Sequence, residues 1–273
     1  MNPENPLNLQ REGVPGEWDV EDKLFEILTT YLPPVSDMTA GQAAEQINRL
    51  FPANRPEGSD KESPESFLFE FWDLMIKVAC QLDHEEIPMQ RFVNLLKALR
   101  QLPANVVLGD GTPAWRDLPH FSMYLSEEWN SFNPRESGPD DERLCRWINL
   151  NGLMIYLDNG ELLDGLSRAL VTISLCLESD EGKAQASVMS LVPAAAKWFK
   201  LCGSKIYKAS QAGECRDSEV RGQLWKGDPG YCMPRWEFWR TRLAQLAEYP
   251  ESEQITKEMC LTALSVMDQA AGH

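Results

Sequence analysis

The chain has 273 residues, of which 43% are hydrophobic, and its 42 acidic against 26 basic side chains give a formal net charge of −16. This length and apolar content suit a globular protein with a substantial core. The excess of acid argues against a nucleic-acid partner, because affinity for a phosphate backbone comes mainly from Lys and Arg. It also disfavours anionic membranes, and it favours solubility or the attraction of a basic partner.

Residues 1–17 are polar and predict a disordered tail that lacks the apolar core of a secretion signal. No apolar stretch approaches the roughly 20 residues of a membrane span. The seven Cys residues have no C-x-x-C spacing, so we interpret them as free thiols in a reducing compartment. These features predict a cytoplasmic protein. Five thiols lie in apolar helical patterns and are expected to be buried, namely Cys80, Cys145, Cys176, Cys202 and Cys260.

Helical start signals recur along the first half of the chain. A first helix is predicted from Asp19 to the Pro33-Pro34 pair, since its apolar residues share one face. Thr39 and Gln42 have the spacing of a capping box, which opens a second helix. Ser63 and Pro64 are typical of the N-cap and first position of a third. Further helices are predicted after Ile87-Pro88 and from Leu118 to Phe132.

The second half continues this pattern. Helices are predicted over 140–157, 162–177 and 184–207, and the last of these could break at Pro193 or Gly203. Two more begin near Pro234 and Ser252. No segment alternates with period two, which argues against sheet. The sequence therefore predicts one all-α, helical-bundle-like domain over 18–273, with nine to eleven helices and little or no sheet.

No set of residues indicates a familiar catalytic centre. The segment 83–86 (Asp-His-Glu-Glu) has consecutive side chains that diverge on a helix, so we interpret it as a solvated helix end rather than a metal site. Only three His residues are available as bases, and the chain has no G-x-S-x-G, phosphate-loop or dinucleotide motif. We therefore predict no metal and no cofactor, and we assign no catalytic residue.

Two tryptophan-rich blocks, residues 146–152 and 223–239, carry the candidate site. In the first block, Asn149 and Asn151 lie about 200° apart on a helix, so at least one should face the core near Trp147. In the second, Arg235 or Arg240 could stack on an indole or pair with a buried acid. The seven candidate ligand-binding residues are Trp147, Asn149, Asn151, Trp225, Arg235, Trp236 and Trp239.

Two interpretations of these blocks stay open. In one, they form an aromatic core with polar clamps between helices. In the other, the four Trp residues line a pocket in which Asn151 and Arg235 orient a small apolar ligand. The two differ in whether the indoles are accessible to solvent and respond to ligand.

Five segments with a shared Trp-centred character resemble an uncharacterised family of fungal, all-helical proteins known as a domain of unknown function. They are 69–72 (Phe-Glu-Phe-Trp), 115–119 (Trp-Arg-Asp-Leu-Pro), 147–151 (Trp-Ile-Asn-Leu-Asn), 195–203 around Trp198, and 224–239 with its Arg-Trp-x-Phe-Trp end. The resemblance is strongest over 64–247. It implies a helical domain and a fungal source, and it supplies no catalytic residues.

Two functions are compatible with these observations. The first is a non-catalytic binding or scaffold protein whose acidic surface meets a protein partner. The alternative is a small-molecule binder, or an unorthodox enzyme of fungal secondary metabolism, that uses the Trp-lined region. The absence of a recognisable acid–base set favours the first. The sequence does not indicate an oligomeric state.

Overall fold

The computed structural model describes residues 7–12, 18–57, 61–83, 87–104, 106–132, 142–179, 185–216, 220–250 and 252–272, and for 185–188 the backbone alone. These residues form ten α-helices, which are α1 (Asp19–Tyr31), α2 (Ala40–Leu50), α3 (Pro64–Ala79), α4 (Ile87–Arg100), α5 (Phe121–Ser131), α6 (Glu142–Asn159), α7 (Leu166–Leu177), α8 (Gln185–Ala212), α9 (Met233–Glu248) and α10 (Gln254–Ala271). A short 3-10 helix follows α2 at Pro52–Asn54.

The all-α prediction is confirmed. Across the described ranges, β geometry is limited to an isolated bridge between Val107 and Pro113. None of the described helices combines the length and the apolar character needed to cross a membrane.

Local capping explains where two helices begin. The Thr39 side chain accepts a hydrogen bond from the Gln42 backbone and the Gln42 side chain accepts one from the Thr39 backbone, which completes the predicted capping box of α2. Ser63 caps α3 by accepting from the Ser66 backbone at 3.0 Å. Helices α5 and α7 start later than predicted, at Phe121 and Leu166.

The chain separates into two compact units, unit 1 (Met1–Phe132) and unit 2 (Asn133–His273). In unit 1, α2 packs on α1 and α4, and α3 packs on α1 and α5. Its centre is aromatic and consists of rings in edge or tilted contact, namely Phe51, Phe67, Phe71, Trp72 and Trp115. The organisation of the chain as one domain stays a prediction.

Residues 7–12 lie against the end of α3. The Gln10 backbone N–H donates to Gln81 Oε1 at 2.7 Å, and Gln81 Nε2 donates back to the Gln10 carbonyl at 2.9 Å. Leu9 is buried. Residues 1–6 and 13–17 lie outside the described residues, so the disordered tail stays a prediction.

In unit 2 the 28-residue helix α8 packs against α6, α7, α9 and α10. The helix is continuous through both Pro193 and Gly203, the two positions at which the sequence allowed a break. A Cβ at Gly203 would lie 2.8 Å from Cγ1 of Val266 on α10. The missing side chain therefore lets α8 and α10 approach closely, and this packing accounts for a glycine in the middle of a long helix.

Candidate functional site

Helix α6 turns the first Trp block towards the core of unit 2. Trp147 is 2% exposed and Asn151 is fully buried, whereas Asn149 is half-buried. The prediction that at least one of the two Asn residues faces the core is confirmed, and that residue is Asn151.

Asn151 joins three helices through hydrogen bonds. Its Oδ1 accepts from Thr172 Oγ1 on α7 at 2.7 Å and from Trp198 Nε1 on α8 at 3.1 Å. Its Nδ2 donates to the Trp147 carbonyl at 2.9 Å. A buried amide needs such partners, because an unsatisfied polar group loses its hydration without compensation. Asn151 therefore acts as a polar clamp between helices.

The second block contributes a buried ion pair. Arg235 Nε donates to Glu178 Oε1 at 2.7 Å, and Arg235 Nη2 donates to Glu178 Oε2 at 2.9 Å, in the bidentate geometry that suits guanidinium and carboxylate. Both side chains are 0% exposed. Arg235 also donates to Ser174 Oγ and to the carbonyls of Gly230 and Val220. Its five hydrogen bonds all go to protein groups.

The Glu178 carboxylate is also fully hydrogen-bonded to protein groups. Besides Arg235, its Oε1 accepts from Trp239 Nε1 at 2.7 Å and its Oε2 accepts from the Gly222 backbone at 2.8 Å. The Glu178 carbonyl also accepts from the Leu224 N–H at 2.8 Å. The carboxylate at the end of α7 therefore fixes both the start of α9 and the loop before it.

Residues 220–231, here called the clamp loop, approach Glu178 so closely that glycine is needed. A Cβ at Gly222 would lie 2.2 Å from the Glu178 Cβ and 2.6 Å from its carbonyl oxygen. Trp225 is half-exposed, and its Nε1 donates to the Asp228 carbonyl within the loop at 2.8 Å. Trp225 therefore belongs to the surface of the clamp loop rather than to the buried network.

Arg235 also lies near two indoles, as the sequence suggested. Its Cζ is 5.3 Å from the ring centroid of Trp239 and 5.9 Å from that of Trp225. Both distances fall within the range of cation–π attraction. Of the two residues for which the sequence predicted an indole or a buried acid as partner, Arg235 has both, whereas Arg240 pairs with the exposed Asp268.

Trp236 occupies the apolar part of the block. It is fully buried, and its ring centroid lies 5.7 Å from that of Phe199 and 5.2 Å from that of Tyr207 on α8. Its indole N–H has no hydrogen-bond acceptor among the residues that the structure describes. This is the one unsatisfied polar atom among the seven candidate side chains within those residues.

Four of the seven candidate residues belong to two hydrogen-bond networks that both include residues at α7. Trp147 and Asn151 belong to the network centred on Asn151, and Arg235 and Trp239 belong to the one centred on Glu178 and Arg235. Neither leaves a side chain placed to act as acid, base or nucleophile. An open pocket of about 470 Å³ lies in unit 1 and is lined by Ile27, Met38 and Leu50 among others. It contains none of the candidate residues.

The sequence did not indicate Glu178 as a site residue, because its surroundings in the sequence resemble a solvated helix end. It also did not indicate a third group of hydrogen-bonded residues, the Asp158 cluster, which is centred on Asp158. Asp158 Oδ1 accepts from the Gly165 backbone at 3.0 Å, and its Oδ2 accepts from Lys205 Nζ at 2.7 Å. Partial burial works to lower the pKa of Lys205, but the hydrogen bond and charge of Asp158 raise it overall. Through these hydrogen bonds, the Asp158 cluster holds the turn after α6 against α8.

All seven Cys residues are free thiols. Four of the five that we expected to be buried are buried, but Cys145 is exposed, because its position on α6 faces away from Trp147 and Asn151. Groups of three or more metal-ligating side chains do not occur within the described ranges. Residues 84–86 lie outside those ranges.

Comparison with known proteins gives a family and no further relatives. No curated protein and no solved structure matches the chain. A family model described as "Protein of unknown function (DUF3632)" matches residues 72–243, which is well over half of the 273 residues and includes both Trp blocks. The chain therefore belongs to the DUF3632 family, as the Trp-centred segments indicated.

Proposed function

We propose that this chain is a non-catalytic binding or scaffold protein whose acidic surface meets a basic protein partner. The net charge of −16 favours a positively charged partner, because opposite charges speed the encounter of two proteins. The same negative charge disfavours nucleic acid, whose phosphate backbone is also negative. The free thiols support a cytoplasmic setting. The family match, which spans both units, supports their action as one domain.

The observation that carries the proposal is that protein groups supply all the hydrogen bonds of the buried Glu178–Arg235 pair. A ligand site normally presents a few convergent polar groups to an accessible space. Here both side chains are 0% exposed, and each of their charged groups binds protein atoms. Asn151, the other polar residue expected to orient a ligand, is likewise fully buried and bonded within unit 2.

One observation favours the alternative, a small-molecule binder or unorthodox enzyme with a Trp-lined pocket. The Trp236 N–H lacks an acceptor within the described part of the chain, and a buried donor without a partner is costly. A small ligand carrying an acceptor would satisfy it. Against this stands the full burial of Trp236, whose ring contacts Phe199 and Tyr207.

Native mass spectrometry of the tagged chain, purified from its source cells at low salt, tests the proposal. We expect a protein partner in stoichiometric amount, with a basic sequence, that dissociates as salt rises because screened charges attract less. A reproducible non-protein adduct without any protein partner would contradict the proposal and support the alternative. A chain recovered alone, with neither, would also contradict it.

A further inference from the structure

We propose that an exposed aromatic patch on unit 1, formed by Phe69, His120, Met123 and Tyr124 and rimmed by carboxylates, docks a basic segment of a partner protein. The inference rests on the proposed function and specifies the surface and the chemistry of the partner. The patch lies outside both Trp blocks.

The patch joins α3 and α5. The Phe69 ring lies 5.0 Å from the His120 ring and 5.9 Å from the Tyr124 ring, centroid to centroid. Phe69 is 36% exposed and Met123 is 44% exposed, although both are large apolar side chains. His120 and Tyr124 are half-buried. Clustered apolar exposure of this kind is typical of interaction sites, whereas single exposed residues are not informative.

The backbone beneath the patch is held in an unusual conformation. Leu118 and His120 both have positive φ, 47° and 68°, although neither is glycine. Such conformations are unfavourable for large side chains and persist where surrounding contacts impose them. Here buried Trp72 donates from Nε1 to the Pro119 carbonyl, between the two, at 2.7 Å. The turn therefore presents His120 beside Phe69 at the start of α5.

Carboxylates surround the patch on both helices. On α3, Glu70 follows Phe69 directly and Asp73 lies one turn after it, and on α5 Glu127 lies one turn after Tyr124. In agreement with this placement, burial raises the pKa of Tyr124 and the negative charges of the three acids raise it further. Asp73 is paired with Lys77 at 2.6 Å. Within the part of the chain that the structure describes, Glu70 and Glu127 have no ion pair. The patch thus has two acids available to a cationic partner.

The combination of exposed aromatic rings and available carboxylates fits a partner segment in which Arg or Lys alternates with apolar residues. A guanidinium can bind a carboxylate while lying over the Tyr124 or Phe69 ring, which attracts cations through its π face. An apolar neighbour in the same segment would contact Phe69 and Met123, since methionine adapts to irregular surfaces. The aromatic faces distinguish such a segment from one that is merely positively charged.

Fluorescence anisotropy of labelled synthetic peptides with the full chain tests the patch. One probe alternates Arg with Leu, and the second has the same charge with Ser in place of Leu. The test variants are Phe69→Ala and the surface double variant Glu70→Lys/Glu127→Lys. The matched control, Glu45→Lys/Glu57→Lys, makes the same change in net charge at exposed positions outside the patch. Circular dichroism checks that each variant folds.

We expect the Arg–Leu probe to bind, and each test variant to weaken it by about tenfold or more, while the control stays within about twofold. Equal loss in the control would show attraction by net charge alone and would overturn the proposal. So would binding of the Arg–Ser probe as tight as that of the Arg–Leu probe, or binding unaffected by the test variants.

The two proposals fail separately. A native protein complex that survives in Glu70→Lys/Glu127→Lys would refute the patch and leave the scaffold function standing. Patch-dependent binding of the Arg–Leu probe without any protein partner in source cells would instead refute the scaffold function.

Discussion

The carboxylate of Glu178 is 0% exposed, accepts four hydrogen bonds and neutralises Arg235. A buried ion pair often contributes little beyond what apolar residues of similar volume would, because both charges lose their hydration. Removing one partner is different, since it leaves a buried charge uncompensated. The pair therefore specifies one arrangement of α7, α9 and the clamp loop.

Glu178→Gln tests this role with almost no change in volume. We expect it to lower the free energy of unfolding by about 3–5 kcal/mol, because Arg235 stays charged without its counterion. Urea denaturation measures the loss. The control is Asp268→Asn, which breaks a pair with Arg240 that is 44% and 38% exposed, and it should cost less than about 1 kcal/mol. Equal losses would contradict the assignment.

Asn151→Leu tests the second network. It removes the acceptor shared by Thr172 and Trp198, and each orphaned buried donor should cost about 1–3 kcal/mol of unfolding free energy. Thr172→Val removes one of these donors, so the double variant should cost less than the sum of the single variants by about 1 kcal/mol. Strict additivity in the denaturation data would argue that the two side chains do not interact.

The candidate residues show what sequence can predict at this scale. Helical spacing was enough to place one Asn in the core, and the Arg residues among the Trp residues indicated that an indole or a buried acid would be the partner of Arg235 or Arg240. The partner of Arg235, Glu178, lies 57 positions away from it in the chain. It follows a helix end whose local sequence is typical of a solvent-exposed position. Only the tertiary fold brings the two together, so local pattern could not identify it.

Helix boundaries follow the same division between local and tertiary causes. The starts of α2 and α3 are encoded by caps within four residues, and the sequence predicted them. Helix α7 begins at Leu166 rather than Leu162, because the Gly165 N–H donates to Asp158 and a Cβ at Gly165 would lie 2.9 Å from the Trp198 ring. That interaction with α6 and α8 is invisible in local sequence.

Gly203→Ala tests the close approach of α8 and α10. In an exposed helix this change would be stabilising by about 1 kcal/mol, but here the new Cβ meets stiff Val266, and overpacking costs about 1–3 kcal/mol. We expect a net loss in thermal unfolding. Val266→Ala added to Gly203→Ala should recover part of it. Gly41→Ala, with no neighbour nearer than 4.0 Å, is the control and should not destabilise.

Across the whole chain, each unit has its own aromatic core, and the buried thiols are distributed over both. Cys80 lies in unit 1, and the remaining buried thiols, Cys176, Cys202 and Cys260, lie in unit 2. Burial raises the pKa of Cys202 to about 12 and that of Cys260 to about 11. Both therefore stay protonated near neutral pH, and a protonated thiol is a poor nucleophile.

Thiol labelling of the native chain at about pH 8 reports this distribution, because only accessible thiolates react. We expect rapid reaction at the two exposed thiols, Cys145 and Cys215, slower reaction at half-buried Cys232, and reaction at the other four only after denaturation. Peptide mapping identifies the sites. Early labelling of any of the four buried thiols would contradict the packing of the unit that contains it.

The central claim is that Trp147, Trp236 and Trp239 of the two Trp blocks belong to the core of unit 2 rather than to an open pocket. Hydrogen exchange of indole N–H groups in this core, followed by NMR, tests the claim most directly. The indoles of Trp198 and Trp239 donate to buried acceptors, while that of Trp225 donates to its own half-exposed loop. We predict that Trp198 and Trp239 exchange only with global unfolding, whereas Trp225 exchanges quickly. Exchange of Trp198 and Trp239 as fast as that of Trp225 would contradict the claim.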